Sequence, residues 1–172
     1  FLDFFSTGRT QLQTTYERAL RIVPRENIFI STNKTYEDIV KEQIPDAITD
    51  NILLEPIVRN TAPSVAWATF RIYNNPELNG DGRLLVIPSD QAIINEDEYV
   101  ESANAIFDYA ATHDKLVLVG VVPTRPEQGY GYFQMDGAAP GGGDRFFNAK
   151  TFVEKPSLEY AQMFLETGEF LW

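Results

Sequence analysis

Leu84-Leu85-Val86-Ile87-Pro88-Ser89-Asp90 is the stretch whose reading decides the fold. Four consecutive apolar residues stop at a proline, and a hydroxyl and a carboxylate follow at once. A strand without apolar–polar alternation is one buried on both faces, the habit of parallel sheets covered by helices on each side. In open sheets of that kind ligands bind beyond the carboxyl ends of the strands. Asp90 stands at such an end and is the first candidate functional residue.

The same texture repeats outward from this stretch. Leu116 to Val122 is a second continuous apolar run, and Asn27 to Thr32 and Ile52-Leu53-Leu54 are shorter ones. Segments of helical period lie between them. Leu12, Tyr16, Ala19, Leu20 and Val23 mark a helix from residue 11 to 23, stopped by Pro24, and Tyr36, Ile39, Val40 and Ile44 mark another. Val65, Ala66, Ala68, Phe70 and Ile72 mark a third, with Thr61 suited to its N-cap and Pro63 to its first turn. A Gly80-Asp81-Gly82 turn leads into the opening strand. Asn95 then caps a fourth helix, whose first-turn acids Glu96, Asp97 and Glu98 meet an electropositive N-terminus, and whose buried stripe is Tyr99, Val100, Ala103, Ile106, Phe107 and Ala110. Strict alternation of helices with buried strands implies an α/β fold, a three-layer sandwich with a mostly parallel sheet.

Beyond Val122 the chain becomes turn-rich, through Pro123-Thr124-Arg125-Pro126, Gly129-Tyr130-Gly131-Tyr132 and Pro140-Gly141-Gly142-Gly143-Asp144, and a hairpin excursion is expected. Ala149 to Val153 returns as a strand ending in Glu154-Lys155-Pro156. Ser157 opens a last helix carrying Leu158, Ala161, Phe164 and Leu165, with Gly168 as its stop.

At 172 residues, with no long linker and no repeat, the expectation is one domain, residues 1–172. A net charge of −11 argues against a nucleic-acid partner, since such proteins cluster Lys and Arg against phosphates. No apolar run approaches the roughly 20 residues that cross a bilayer, so no membrane partner is expected. The absence of cysteine excludes disulfides and thiolate metal sites and is compatible with a reducing, cytoplasmic location. The single histidine, His113, reads as a solvated loop or helix-end residue and receives no role.

Four polar clusters follow inferred strands: Glu55 with Arg59-Asn60-Thr61, Ser89-Asp90, Arg125 with the Gly129 to Tyr132 turn, and Glu154-Lys155. In a parallel sheet all four point to one edge. Spacing alone leaves their chemistry open, because strand-end acids also serve as caps and turn formers.

These clusters carry a resemblance. Glu55-Pro56 with Arg59-Asn60-Thr61-Ala62-Pro63, then Pro88-Ser89-Asp90, then Pro123 to Tyr132, then Phe152-Val153-Glu154-Lys155-Pro156 resemble, in order, the motifs of the mannose-1-phosphate guanylyltransferases, or GDP-mannose pyrophosphorylases, as does the closing Gly168 to Trp172. The resemblance implies a nucleotide-diphospho-sugar transferase (Rossmann-like) fold. It also implies a reaction in which GTP and mannose 1-phosphate give GDP-mannose and pyrophosphate with Mg²⁺, the protein supplying chiefly positioning and electrostatics.

Residue by residue, Asp90 matches the family's metal-binding aspartate, although Gln91 stands where relatives have histidine; the bland reading is an Asx turn. Glu55 becomes a candidate guanine reader, since a carboxylate accepts from N1–H and the exocyclic amine together, against a plain ion pair with Arg59. Arg59, Asn60 and Thr61 lie before a helix N-terminus, a place suited to nucleotide contacts. Lys155 resembles the catalytic lysine that holds the sugar phosphate, and Glu154 the acid on the mannose hydroxyls, against a weak surface pair. Gly131 would let backbone approach the hexose. Arg125 is left between phosphate contact and bracing the turn.

The resemblance further implies that the chain lacks the family's N-terminal glycine-rich phosphate loop and its C-terminal continuation with a second metal-binding aspartate. These residues alone are therefore expected to be inactive, and the sequence is compatible with a homo-oligomer without specifying one. Two other readings stay open: a non-catalytic sugar-nucleotide-binding regulatory homologue, and a pyrophosphorylase for another nucleotide or hexose phosphate.

Overall fold

The first helix forms where the sequence caps it. Thr10 and Gln13 exchange hydrogen bonds as a capping box, the Thr10 hydroxyl accepting from the Gln13 N–H at 3.2 Å and the Gln13 side chain from the Thr10 N–H at 2.9 Å. Helix α1 runs Gln11–Leu20, shorter than the expected reach to Val23. Ile22 and Val23 both donate to the Ala19 carbonyl, which closes the last turn before Pro24.

The computed structural model describes residues 1–57, 59–76 and 82–172, and the chain divides into two compact units, Phe1–Asp108 and Tyr109–Trp172. In the first unit a 3₁₀ turn at Arg25–Asn27 takes up the start of the expected second element, so strand β1 is Ile30–Asn33. Helix α2 is Glu37–Gln43 and strand β2 is Ile52–Glu55. β1 and β2 pair in parallel, with Ser31 opposite Leu53 and Asn33 opposite Glu55. Leu12 and Tyr16 of α1, one turn apart, meet Val40, Ile44 and Ile52 in a core that Ile28, Ile30 and Leu54 extend. Each such fully buried aliphatic side chain is worth about 1.5–3 kcal/mol.

Helix α3, Thr61–Tyr73, is preceded by Asn60 as N-cap, so the cap falls one residue before the expected Thr61. Helix α4 is Glu96–Thr112 and passes from the first unit into the second. Asn95 caps it as expected, its side-chain oxygen accepting from the Glu98 N–H at 3.3 Å while its amide donates to the Glu98 carboxylate at 2.9 Å. Of the expected Gly80-Asp81-Gly82 turn, Gly80 and Asp81 lie outside the described residues.

The second unit is built on an antiparallel sheet of order β4-β3-β5: β3 is Gly131–Ala138, β4 Phe147–Glu154 and β5 Phe170–Leu171. The hairpin excursion is thus β3–β4, and the expected strand from Ala149 to Val153 is its antiparallel second arm. Helix α5, Leu158–Thr167, starts at Ser157, whose hydroxyl accepts from the Tyr160 N–H, and stops at left-handed Gly168 (φ 67°). It packs Ala161 and Phe164 on Tyr132 and Phe170.

The mixed α/β architecture with a parallel pair agrees with the sequence reading, but two of its strands do not form as expected. Among the described residues neither Leu84–Ile87 nor Leu116–Val122 belongs to a strand ladder. Leu84 and Val86 are about half exposed, and Leu116 is fully exposed. Burial on both faces requires a paired strand at each edge and a covering layer on each side, and an apolar run does not supply these by itself. The end of the second run does make one exchange, Val121 and Trp172 bonding N–H to carbonyl in both directions at 3.0 and 2.8 Å.

Candidate active site

Glu55 ends β2, and its neighbours come from two other elements. Ser31 lies on β1 two residues before the partner of Glu55, hence on the same face of the pair, and Ser64 lies in the first turn of α3. Glu55 Oε1 accepts from Ser64 Oγ at 2.6 Å and from Ser31 Oγ at 3.1 Å, and the two hydroxyls are 3.2 Å apart. The described bonds of Glu55 therefore run to two serines rather than to Arg59. Neither serine has a sequence signature of its own. Strand register selects Ser31 and helix phase selects Ser64, and both are consequences of the fold.

Asn60 has φ 64° and ψ −169°, a conformation that is almost confined to glycine and costs about 1–3 kcal/mol. Such strain is typical of functional turns. It sets Arg59, Asn60 and Thr61, all exposed, at the N-terminus of the 13-residue α3, where free N–H groups attract anions.

Asp90 sits in an exposed turn. Its main-chain carbonyl accepts from Gln11 Nε2 at 3.0 Å. Six residues on, buried Arg18 of α1 holds Glu96 at 3.2 Å and lies over the Tyr99 ring. Helix α1 thereby ties down both ends of the segment from Asp90 to Glu96. Among the described residues the Asp90 carboxylate has no hydrogen bond, and no group of three His, Asp or Glu side chains could cage a metal. One free hard carboxylate at a fixed backbone position suits an ion such as Mg²⁺, which takes one or two carboxylates and completes its shell with water and phosphate.

In the second unit the register of the hairpin brings three candidates together. Gly131 of β3 is opposite Glu154 of β4, and the Lys155 N–H donates to the Tyr130 carbonyl at 3.1 Å. A Cβ on Gly131 would lie 2.5 Å from Phe152 Cζ and 2.9 Å from Glu154 Oε2, so the absence of a side chain is what lets Glu154 stand where it does. Lys155 has φ 48°, and its ammonium is 3.7 Å from Glu154 Oε1, with both side chains well exposed. A long, exposed pair of this kind is weak and leaves the cation open to another anion.

Arg125 braces the turn. Its guanidinium donates to Glu127 Oε2 from Nε at 3.1 Å and from a terminal nitrogen at 3.0 Å, and lies over the rings of Trp172 and Tyr130. Glu127 Oε1 accepts from the Gly129 N–H at 2.9 Å. That backbone bond first, and then Arg125, hold the Glu127 carboxyl below its ordinary range; Glu127 in turn raises Arg125. Tyr132, fully buried, donates to the Glu127 carbonyl and accepts from its N–H, both at 2.9 Å. The part of Trp172 in this brace is not legible in the sequence, because its ring arrives from the residue after β5.

His113, given no role, stacks on Tyr109 at 4.0 Å, and Tyr109 stacks in turn on Phe146 at 4.4 Å. It directly follows Thr112, the last residue of α4, the helix-end place expected of it, and packs within the second unit.

The nucleotidyl transferase family model matches residues 4–172. The chain is 39% identical over 166 residues to mannose-1-phosphate guanylyltransferase ManC of Salmonella typhimurium, covering 95% of this chain and 34% of the relative. It is also 39% identical to the mannose-1-phosphate guanylyltransferase of Escherichia coli, again over 95% of this chain and 34% of that protein. It therefore spans about a third of the length of these curated relatives. Among solved structures it is similar to a Thermus thermophilus protein described as mannose-1-phosphate geranyltransferase, with a TM-score of 0.80 at 30% identity over 96% of this chain and 45% of that one. A Helicobacter pylori mannose-6-phosphate isomerase structure gives a TM-score of 0.70 at 26% identity, over 95% and 58%. The α/β fold with its parallel pair is thus the nucleotide-diphospho-sugar transferase fold, and the chain belongs to the nucleotidyl transferase family.

Proposed function

We propose that the protein containing this chain is a mannose-1-phosphate guanylyltransferase, joining GTP and mannose 1-phosphate into GDP-mannose and pyrophosphate. The observation that carries this reading is the identity of 39% across 95% of the chain with two proteins of that name, combined with the presence of Glu55, Asp90, Gly131, Glu154 and Lys155 in exposed or approachable settings. We further propose that both units form one nucleotidyltransferase domain, since the family model spans them. The location proposed is cytoplasmic; no helix among the described residues is long and apolar enough to cross a membrane.

In this reaction a sugar-phosphate oxygen attacks the α-phosphorus of GTP, a new P–O bond forms, and the bond to the β-phosphate breaks with pyrophosphate leaving. Catalysis is positioning plus charge neutralisation. Glu55 reads the guanine, and Arg59, Asn60 and Thr61 contact the nucleotide at the start of α3. Lys155 holds the sugar phosphate, and its weak tie to Glu154 leaves its charge available. Glu154 accepts from mannose hydroxyls, and Gly131 keeps the approach clear. Members of the family commonly use divalent metals. Asp90 would hold Mg²⁺, which neutralises phosphate charge when bound.

The test is pyrophosphate release by the full-length protein with GTP and mannose 1-phosphate, beside Asp90→Asn. Turnover with GTP, lost in the variant while its melting temperature is unchanged, is the expected result. Wild-type turnover in Asp90→Asn removes the metal role, and binding of sugar nucleotide without any turnover points instead to a regulatory homologue.

A further inference from the structure

The Ser31–Glu55–Ser64 triangle contains three oxygens in mutual contact and only two hydroxyl protons. Ser64 makes the shortest contact, 2.6 Å to Glu55 Oε1, which assigns its proton to the carboxylate. The Ser31 proton then has two acceptors at nearly equal reach, Glu55 Oε1 at 3.1 Å and Ser64 Oγ at 3.2 Å. The choice matters because a carboxylate oxygen accepts about two hydrogen bonds. With both serines donating, Oε1 is filled, and a base offering two adjacent donors meets only Oε2. With Ser31 turned to Ser64 Oγ, one site on Oε1 is released while the bond that orients the carboxylate stays intact.

We propose that Ser64 is a positioning residue that aims the Glu55 carboxylate at the nucleotide base, and that Ser31 is an exchangeable donor that yields its place on Oε1 when a base with two adjacent N–H groups arrives. The proposal rests on the reading of Glu55 as the guanine-recognising acid. The two serines then differ in consequence although both touch the same oxygen. Loss of Ser64 frees the carboxylate to rotate. Loss of Ser31 leaves it held and its second site open. The hydroxyl pair also explains how an acid presents two acceptors to a ligand while its own fold already occupies one oxygen.

The experiment uses the full-length protein and compares kcat/KM for GTP and for ITP, which lacks the exocyclic amine. Glu55→Gln is expected to collapse the GTP preference, and Ser64→Ala to reduce it by about tenfold, the scale of one charge-assisted hydrogen bond. Ser64→Thr, which keeps the hydroxyl, restores the preference, and Ser31→Ala, which only opens the second site, does not lower it. Should Ser64→Ala fail to fold, Ser64→Cys keeps the volume with a weak donor and takes its place. A wild-type ratio in the Ser64 variant beside a collapsed ratio in Glu55→Gln overturns the proposal and leaves the guanine reading standing. An unchanged ratio in Glu55→Gln overturns both.

Discussion

Placing one methyl group at Gly131 separates stability from activity in the second unit. Gly131 does not have a positive φ, so alanine meets no backbone penalty. The new Cβ meets Phe152 Cζ at 2.5 Å and Glu154 Oε2 at 2.9 Å, contacts that real Cβ atoms do not make, so both side chains must move. Each has room, with Phe152 exposed at 55% and the Glu154 side chain at 58%. Swinging Phe152 disturbs its contact with the Phe133 ring, 5.4 Å between centroids, at about 0.5–1.5 kcal/mol. Replacing glycine lowers the entropy of the unfolded chain and returns about 0.4–1 kcal/mol. The net change in stability is thus within about 1 kcal/mol, or about 3 °C in melting temperature for a chain of this size. Displacement of Glu154 has the larger effect. On the proposed contact of Glu154 with the sugar, a hydrogen bond to a charged group is worth about 1.5–3 kcal/mol, and its loss is expected to lower kcat/KM for mannose 1-phosphate by about ten- to a hundredfold. The assay is pyrophosphate release by the full-length protein at saturating GTP, beside a thermal melt. Unchanged kcat/KM with an unchanged melt refutes the placement of Glu154 on the sugar.

Asn60→Gly relieves the backbone at φ 64°, ψ −169° and is expected to stabilise by about 1 kcal/mol, the relief exceeding the added chain entropy, as read by urea denaturation. A loss of stability there contradicts the strain. The Glu127 carboxyl is held below its ordinary value of 4.5, chiefly by the Gly129 N–H and then by Arg125. Its contribution is therefore complete above the unfolded value and is lost as pH falls through the lower folded one. The melting difference between wild type and Glu127→Gln should be flat near neutrality and shrink below about pH 4.5; a difference independent of pH removes the linkage. Asp90→Asn should leave stability within about 0.5 kcal/mol, because Gln11 holds the main-chain carbonyl and not the carboxylate. A larger loss by chemical denaturation would show the side chain to be structural.

Sequence alone was a good guide wherever a bond spans a few residues. The Asn95 cap on α4, the Ser157 cap on α5 and left-handed Gly168 were all legible because each pairs groups within one helical turn or relies on one residue's own φ. Motif order likewise marks Glu55, Asp90, Glu154 and Lys155 as candidates. Element ends were less legible: the 3₁₀ turn at Arg25–Asn27 displaced the start of β1, and the cap of α3 fell on Asn60 rather than Thr61.

What only the tertiary structure decided is the company each candidate keeps. The apolar run Leu84 to Ile87, which pointed to α/β, carries no ladder among the described residues and exposes Leu84 and Val86. Glu55 meets Ser31 and Ser64, 24 and 9 residues away, instead of Arg59 four residues on. Arg125 is a brace because the ring of Trp172 closes on it from the far end of the second unit's sequence. Residue type and spacing determine which groups can do chemistry and which local turns form. Strand register and helix phase determine which of them touch, because contacts across tens of residues depend on the packing of whole elements rather than on any local pattern.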